Sequence, residues 1–87
     1  MFTGNLQQYP SSRINDEFVY ARSLRKAEET RRFTIRDTGT QGWEVLDERG
    51  ATVLKNVLYD DWHRVERARA VFAVEAMTLR EAGWVEA

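Results

Sequence analysis

The sequence predicts an α+β domain in which a three-stranded antiparallel β-meander packs against one long C-terminal α-helix. Residues 62–82 contain neither glycine nor proline and are rich in strong helix formers. Before them come three short runs that alternate polar and apolar residues or are rich in β-branched residues, with glycines between them. We expect the order α-β-β-β-α in a single small domain over residues 14–87, with residues 1–13 as a flexible N-terminal arm.

The N-terminal basic segment, residues 14–30, is predicted to be partly helical. A rough helical spacing relates Ile14, Phe18, Ala21 and either Leu24 or Arg25. Asn15 or Asp16 is available as the helix cap. The run Phe18-Val19-Tyr20 is also typical of a short strand. We expect this segment to pack on the sheet within one chain, and the alternative is an arm exchanged with a second copy.

The first two predicted strands, Arg32–Arg36 and Trp43–Asp47, form a hairpin around the loop Thr38–Gly42. Pairing about this five-residue loop sets opposite charges, or two apolar side chains, against each other on consistent faces. The predicted pairs are Arg36 with Glu44, Ile35 with Val45, and Arg32 with Glu48.

The third predicted strand, Thr52–Tyr59, follows a turn at Gly50, and the sequence leaves two registers open. A three-residue loop pairs Asp47 with Ala51 and puts Val53 and Val57 on the face of Val45. A two-residue Arg49-Gly50 loop pairs Glu44 with Lys55 and puts Leu54 and Leu58 there instead. Both registers leave two large aliphatic side chains on the face away from the helix, on an edge strand that something must cover.

The C-terminal helix is predicted to begin after Asp60 or Asp61, either of which can cap it, and to end before Gly83. At 100° per residue, one apolar stripe along this helix faces the sheet. With the strands it gives the predicted core: Phe33, Ile35, Trp43, Val45, Trp62, Val65, Phe72, Ala76 and Leu79.

Composition narrows the possible chemistry. The 87 residues include no cysteine and one histidine, so the sequence predicts no catalytic residue, no metal site and no cofactor. His63 stands at helical spacing from Asp60 and Arg67. A site with two ligands and without cysteine or a second histidine would hold zinc poorly. No apolar run is long enough to span a membrane and the N-terminus does not look like a secretory signal. We therefore expect a small soluble cytoplasmic protein without membrane association.

A basic patch near the predicted first helix and first strand suggests nucleic acid as an alternative partner. Residues 1–36 carry a net charge of +3 and residues 37–87 a net charge of −4, although the whole chain is at −1. The patch consists of Arg22, Arg25, Lys26, Arg31, Arg32 and Arg36. The predicted element order resembles that of double-stranded-RNA-binding domains, whose final helix starts with a lysine cluster. This chain has Asp60-Asp61-Trp62-His63-Arg64 there, which would repel phosphate.

A second apolar stripe on the C-terminal helix suggests a protein partner. Ala70, Val74 and Met77 lie opposite the core stripe, flanked by Arg67 and Glu81. A two-fold antiparallel pairing of two such helices would bring Arg67 of one copy near Glu81 of the other. The preferred function is a non-enzymatic interaction module that self-associates as a homodimer, or serves as a small subunit of an assembly with an unidentified protein. The alternative is a nucleic-acid-associated accessory protein that uses the basic patch.

Overall fold

The computed structural model describes residues 18–87, so the predicted arm at residues 1–13 lies outside the described residues. The elements are five strands and one helix: β1 (Phe18–Lys26), β2 (Glu29–Asp37), β3 (Trp43–Arg49), β4 (Thr52–Tyr59), α1 (Trp62–Glu81) and β5 (Val85–Glu86). The strands form one antiparallel sheet in the order β4-β3-β2-β1-β5. The α+β class with a C-terminal helix is confirmed, but the sheet has five strands and not three.

The prediction of a helix is wrong over residues 18–26, and the predicted residues 14–17 lie outside the described part. This stretch forms β1, which pairs along its length with β2. Alternate side chains of β1, such as Tyr20 and Leu24, face α1, and Leu24 is fully buried. The chain then reverses at Ala27, which has a positive φ of 54° and cannot continue a helix. The element order is therefore β-β-β-β-α-β, which no longer matches double-stranded-RNA-binding domains.

The hairpin of β2 and β3 has the predicted register. Arg36 pairs with Glu44, Ile35 with Val45, and Arg32 with Glu48. The loop is closed by Thr38, whose backbone N–H and hydroxyl both donate to the carbonyl of Gly42. Gly42 has a φ of 100°, and a side chain there would overlap the carbonyl oxygen of Tyr59. Glycine is therefore required where this loop touches the end of β4.

The hairpin of β3 and β4 has neither predicted register. Arg49 pairs with Thr52 around a Gly50-Ala51 turn, and a bulge then shifts the pairing so that Asp47 stands opposite Lys55. The bulge accommodates one extra residue in β4. As a result Val57 faces Val45 on the helix side. Val53 is paired with Glu48, and Leu58 with Glu44, on the face away from α1.

The core lies between α1 and the sheet. Its fully or almost fully buried side chains are Leu24, Phe33, Ile35, Val45, Val65, Ala68, Phe72 and Ala76. Six of the nine predicted core residues are among them, and Trp43 and Leu79 pack against this cluster from its rim. Trp62 is the exception, because it is 38% exposed and packs its ring on Trp43 at 5.2 Å between centroids.

Both ends of α1 are capped as the sequence predicts. The Asp61 carboxylate accepts a hydrogen bond from the His63 backbone N–H at 2.9 Å. After the last turn, Gly83 takes a φ of 103° and Trp84 donates its N–H back to the carbonyl of Leu79. This turn directs the chain to β5, which pairs with Leu24 and Arg25 of β1.

Candidate interaction surface

The side of α1 that faces away from the sheet carries exposed aliphatic side chains. Val74 is 58% exposed and Met77 is 55% exposed, and Ala70 is exposed beside them. We call these three residues, with Arg67 and Glu81, the outer helix surface. The structure therefore places the predicted stripe in solvent, on a helix whose opposite face is buried in the core.

A shallow groove runs along one flank of this surface. Its walls come from α1 alone: Arg67, Ala70, Val71, Val74, Glu75 and Thr78. Val71 is half exposed, although the sequence places it beside the core stripe. Val71 is rotated 100° around the helix axis from Phe72, and this angle places its side chain outside the core. Val71 thus widens the apolar surface toward β4.

Arg67 and Glu81 bracket the outer helix surface at equal distances from its centre. Each lies seven residues from Val74. They are separated by fourteen positions, which is ~21 Å along a helix, so they cannot bind each other within one chain. In residues 18–87, neither side chain makes an ion pair. One free cation and one free anion therefore stand at opposite ends of an apolar stripe.

The residues of the predicted basic patch are not gathered on one surface. Strand alternation sends Arg22 and Arg31 toward α1, whereas Arg25, Arg32 and Arg36 lie on the open face of the sheet. Arg36 binds Glu44 across the strands at 3.1 Å. The patch is therefore divided between two faces.

Two further cations of this patch bind groups in the segment that follows α1. Arg22 binds Glu86 of β5, and this hydrogen bond raises the pKa of the Arg22 guanidinium above its ordinary value. Lys26 donates to the carbonyl of Ala82 at 2.7 Å, which satisfies a free carbonyl at the end of α1. These contacts connect β1 with the chain that follows the helix.

Arg31 occupies the most enclosed position of the six. Its Nη2 lies 3.2 Å from each carboxylate oxygen of Asp47 and 3.7 Å from Glu75 of α1. The side chains of Arg31 and Asp47 are only 11% and 13% exposed, and the guanidinium stacks over Phe33. This arginine therefore joins the sheet to the helix instead of offering charge to a partner.

His63 lies in the first turn of α1, exposed to solvent. Across the described residues there is no group of three side chains of the types that bind metals. Within the same part of the chain, no helix is long and apolar enough to cross a membrane.

Comparison with known protein families, with curated proteins and with solved structures finds no significant match to this chain.

Proposed function

We propose that this protein is a non-enzymatic interaction module that forms a homodimer through the outer helix surface. The observation that carries the proposal is the symmetry of this surface about Val74. Apolar side chains lie at its centre, and an unpaired arginine and an unpaired glutamate lie seven residues to either side. An isologous two-fold interface requires such a self-complementary surface.

The proposed dimer pairs two copies of α1 in antiparallel orientation. With the two-fold axis at Val74, Arg67 of one copy lies beside Glu81 of the other, and the pair forms twice. The same geometry sets Ala70 beside Thr78 and Val71 beside Met77, so the centre is apolar except for the threonine hydroxyl. The apolar contacts supply most of the affinity and the two ion pairs set the orientation.

A single helix face buries less surface than the ~1,200–2,000 Å² of stable complexes, so we expect dissociation in the micromolar range. The proposal retains the sequence-based prediction of a soluble cytoplasmic protein without catalytic residue, metal or cofactor. A protein partner is favoured over nucleic acid because contacts within the chain engage four of the six cations of the basic patch. Two cations on a face that also carries Glu44 and Glu48 give little attraction for phosphate.

The test is the mass in solution, measured by light scattering during gel filtration of the full chain over roughly a hundredfold concentration range around the expected micromolar Kd. We expect a mass that rises from 10.2 kDa toward twice that value and that high salt does not reverse. Val74→Glu should stay at the monomer mass because two buried carboxylates would face each other at the axis.

The matched control is Val85→Glu. Val85 is 54% exposed, a degree similar to that of Val74, but it pairs with Arg25 in the sheet and is not part of the outer helix surface. It should dimerise like the unmodified chain. Monomeric unmodified protein at every concentration, or a Val74→Glu variant that dimerises like the control, would contradict the proposal. A salt-sensitive complex with a nucleic acid would support the alternative function instead.

A further inference from the structure

Within residues 18–87, no strand pairs with the outer edge of β4. Its inner edge pairs with β3. The opposite edge of the sheet is different, because β5 pairs there with Leu24 and Arg25. Residues 18–26 of the segment that was predicted to pack on the sheet are instead built into the sheet as β1. In the described part of the chain, β4 therefore offers an unpaired row of backbone N–H and C=O groups.

A basic pocket lies beside this edge, between β4 and α1. Its lining is Lys55, Tyr59, Arg64, Arg67, Ala68 and Val71. Among the described residues, none of its three cations makes an ion pair. Asp47, which stands opposite Lys55 in the ladder, is occupied by Arg31. The pocket thus has three charge-assisted donors and no anion of its own.

The open face of the same strand is aliphatic apart from Asn56. Val53 and Leu58 are each 51% exposed, and both are paired there with residues of β3. A strand added to β4 would send alternate side chains to the two faces of the sheet. One set would reach the basic pocket and the other set would contact these aliphatic side chains. This favours a ligand in which acidic residues alternate with aliphatic ones.

A second copy of β4 does not fit this description. Antiparallel self-pairing would bring a second Lys55 and a second Arg64 to the same side of the joined sheet, where like charges repel. A lysine on an edge strand is a common means of avoiding self-pairing. The edge of β4 therefore disfavours a second copy of its own sequence but can accept a strand of opposite charge along residues 55–59, beyond the bulge that follows Val53.

We propose that β4 binds an extended acidic segment of a partner protein by strand addition. Backbone hydrogen bonds to the β4 edge provide affinity for any extended segment. The basic pocket provides specificity, because it binds the carboxylates of an acidic segment. This surface is separate from the proposed dimer contact except for Arg67 and Val71, which border both. The test therefore changes Lys55 and Arg64, which lie outside the outer helix surface.

The probe is a labelled synthetic peptide with the eight-residue length of β4, in which glutamate alternates with valine. Binding to the full chain is measured by fluorescence anisotropy, and amide hydrogen exchange follows β4. We expect saturable binding, slower exchange of alternate β4 amides, and no binding of a peptide with lysine in place of glutamate. Lys55→Glu with Arg64→Glu should weaken binding at least ~10-fold, the effect of losing one strong charged contact.

The control is Arg80→Glu, an exposed arginine of the same helix that does not line the pocket. It should leave peptide affinity unchanged, and the double variant should keep the mass of the unmodified chain, which separates this proposal from the dimer. Failure of the acidic peptide to bind, or equal affinity for the double variant, would overturn the proposal. Binding of single-stranded DNA that the same double variant abolishes, without peptide binding, would assign the pocket to phosphate instead.

Discussion

The two faces of α1 carry similar residues but have opposite surroundings. Val65, Phe72 and Ala76 face the sheet and are buried, whereas Val74 and Met77 face away and are more than half exposed. Both stripes have helical spacing, so residue type alone does not distinguish core from surface. The difference is that only the first stripe has a sheet to cover it. Within residues 18–87 nothing covers the second stripe, and this is the feature on which we base the proposed partner contact.

The largest expected contrast comes from truncating each face. Phe72→Ala should lower the free energy of unfolding by about 3–5 kcal/mol, because it removes a buried ring that packs on Phe33. Val74→Ala should change it by less than ~0.5 kcal/mol at low protein concentration. Chemical denaturation of both variants measures the difference. Similar losses at the two positions would contradict the assignment of inner and outer faces.

Removing the ionic contact at the border of the inner face should have the next largest effect. Arg31→Ala should cost about 3 kcal/mol, because Asp47 would keep its enclosed charge without a partner. Arg49→Ala is the matched control, since the pair of Arg49 and Glu29 is more than half exposed and should be worth no more than ~1 kcal/mol. Equal and small losses in the free energy of unfolding, measured by chemical denaturation, would show that Arg31 does not join the sheet to the helix.

Enlarging an alanine tests how tightly each face is filled. Ala76→Leu should lower the free energy of unfolding by about 1–3 kcal/mol, because Ala76 is fully buried against the sheet. Ala70→Leu, on the outer helix surface, should be neutral within ~0.5 kcal/mol for the monomer. Thermal unfolding at low concentration compares the two. A stabilising Ala76→Leu variant would mean that the core contains unfilled space.

The smallest expected effect on the isolated fold is that of Val74→Glu, within ~0.5 kcal/mol at low concentration. The informative quantity is how the midpoint temperature of unfolding depends on concentration. It should rise with protein concentration for the unmodified chain, because dimerisation stabilises the folded state by mass action. The variant should show no such rise. A rise of equal size in both would place the dimer contact elsewhere.

Local patterns in the sequence were enough to predict α1, its caps and the first hairpin. These depend on residues that are close in the chain, such as Asp61 with His63 or Arg36 with Glu44. The strand β1 could not be predicted in the same way. Leu24 is at a position compatible with either a helix or a strand, and its burial depends on Phe33 and α1. The second hairpin also turns one residue later than either predicted loop, at Gly50-Ala51, and the extra residue in β4 then shifts the pairing once more.

The candidate site also had a part that local sequence patterns predicted and a part that depended on the three-dimensional fold. The stripe Ala70, Val74 and Met77 could be predicted because helix angle alone orients it once the core face is known. The basic patch was grouped by closeness in sequence, and strand alternation then separated its members onto two faces. The sequence also predicted that the strand before α1 is an edge strand, and the structure adds that β1 lies within the sheet, three strands away from that edge.

The central claim is that two copies pair through α1 in antiparallel orientation about Val74. The most direct measurement mixes two charge-reversed variants, Arg67→Glu and Glu81→Arg, and determines the mass by light scattering. Alone, each variant should stay near 10.2 kDa, because like charges meet at both ends of the interface. The mixture should restore the dimer mass, since each variant supplies the charge the other needs. Two variants that dimerise alone, or a mixture that remains monomeric, would contradict the antiparallel helix pairing.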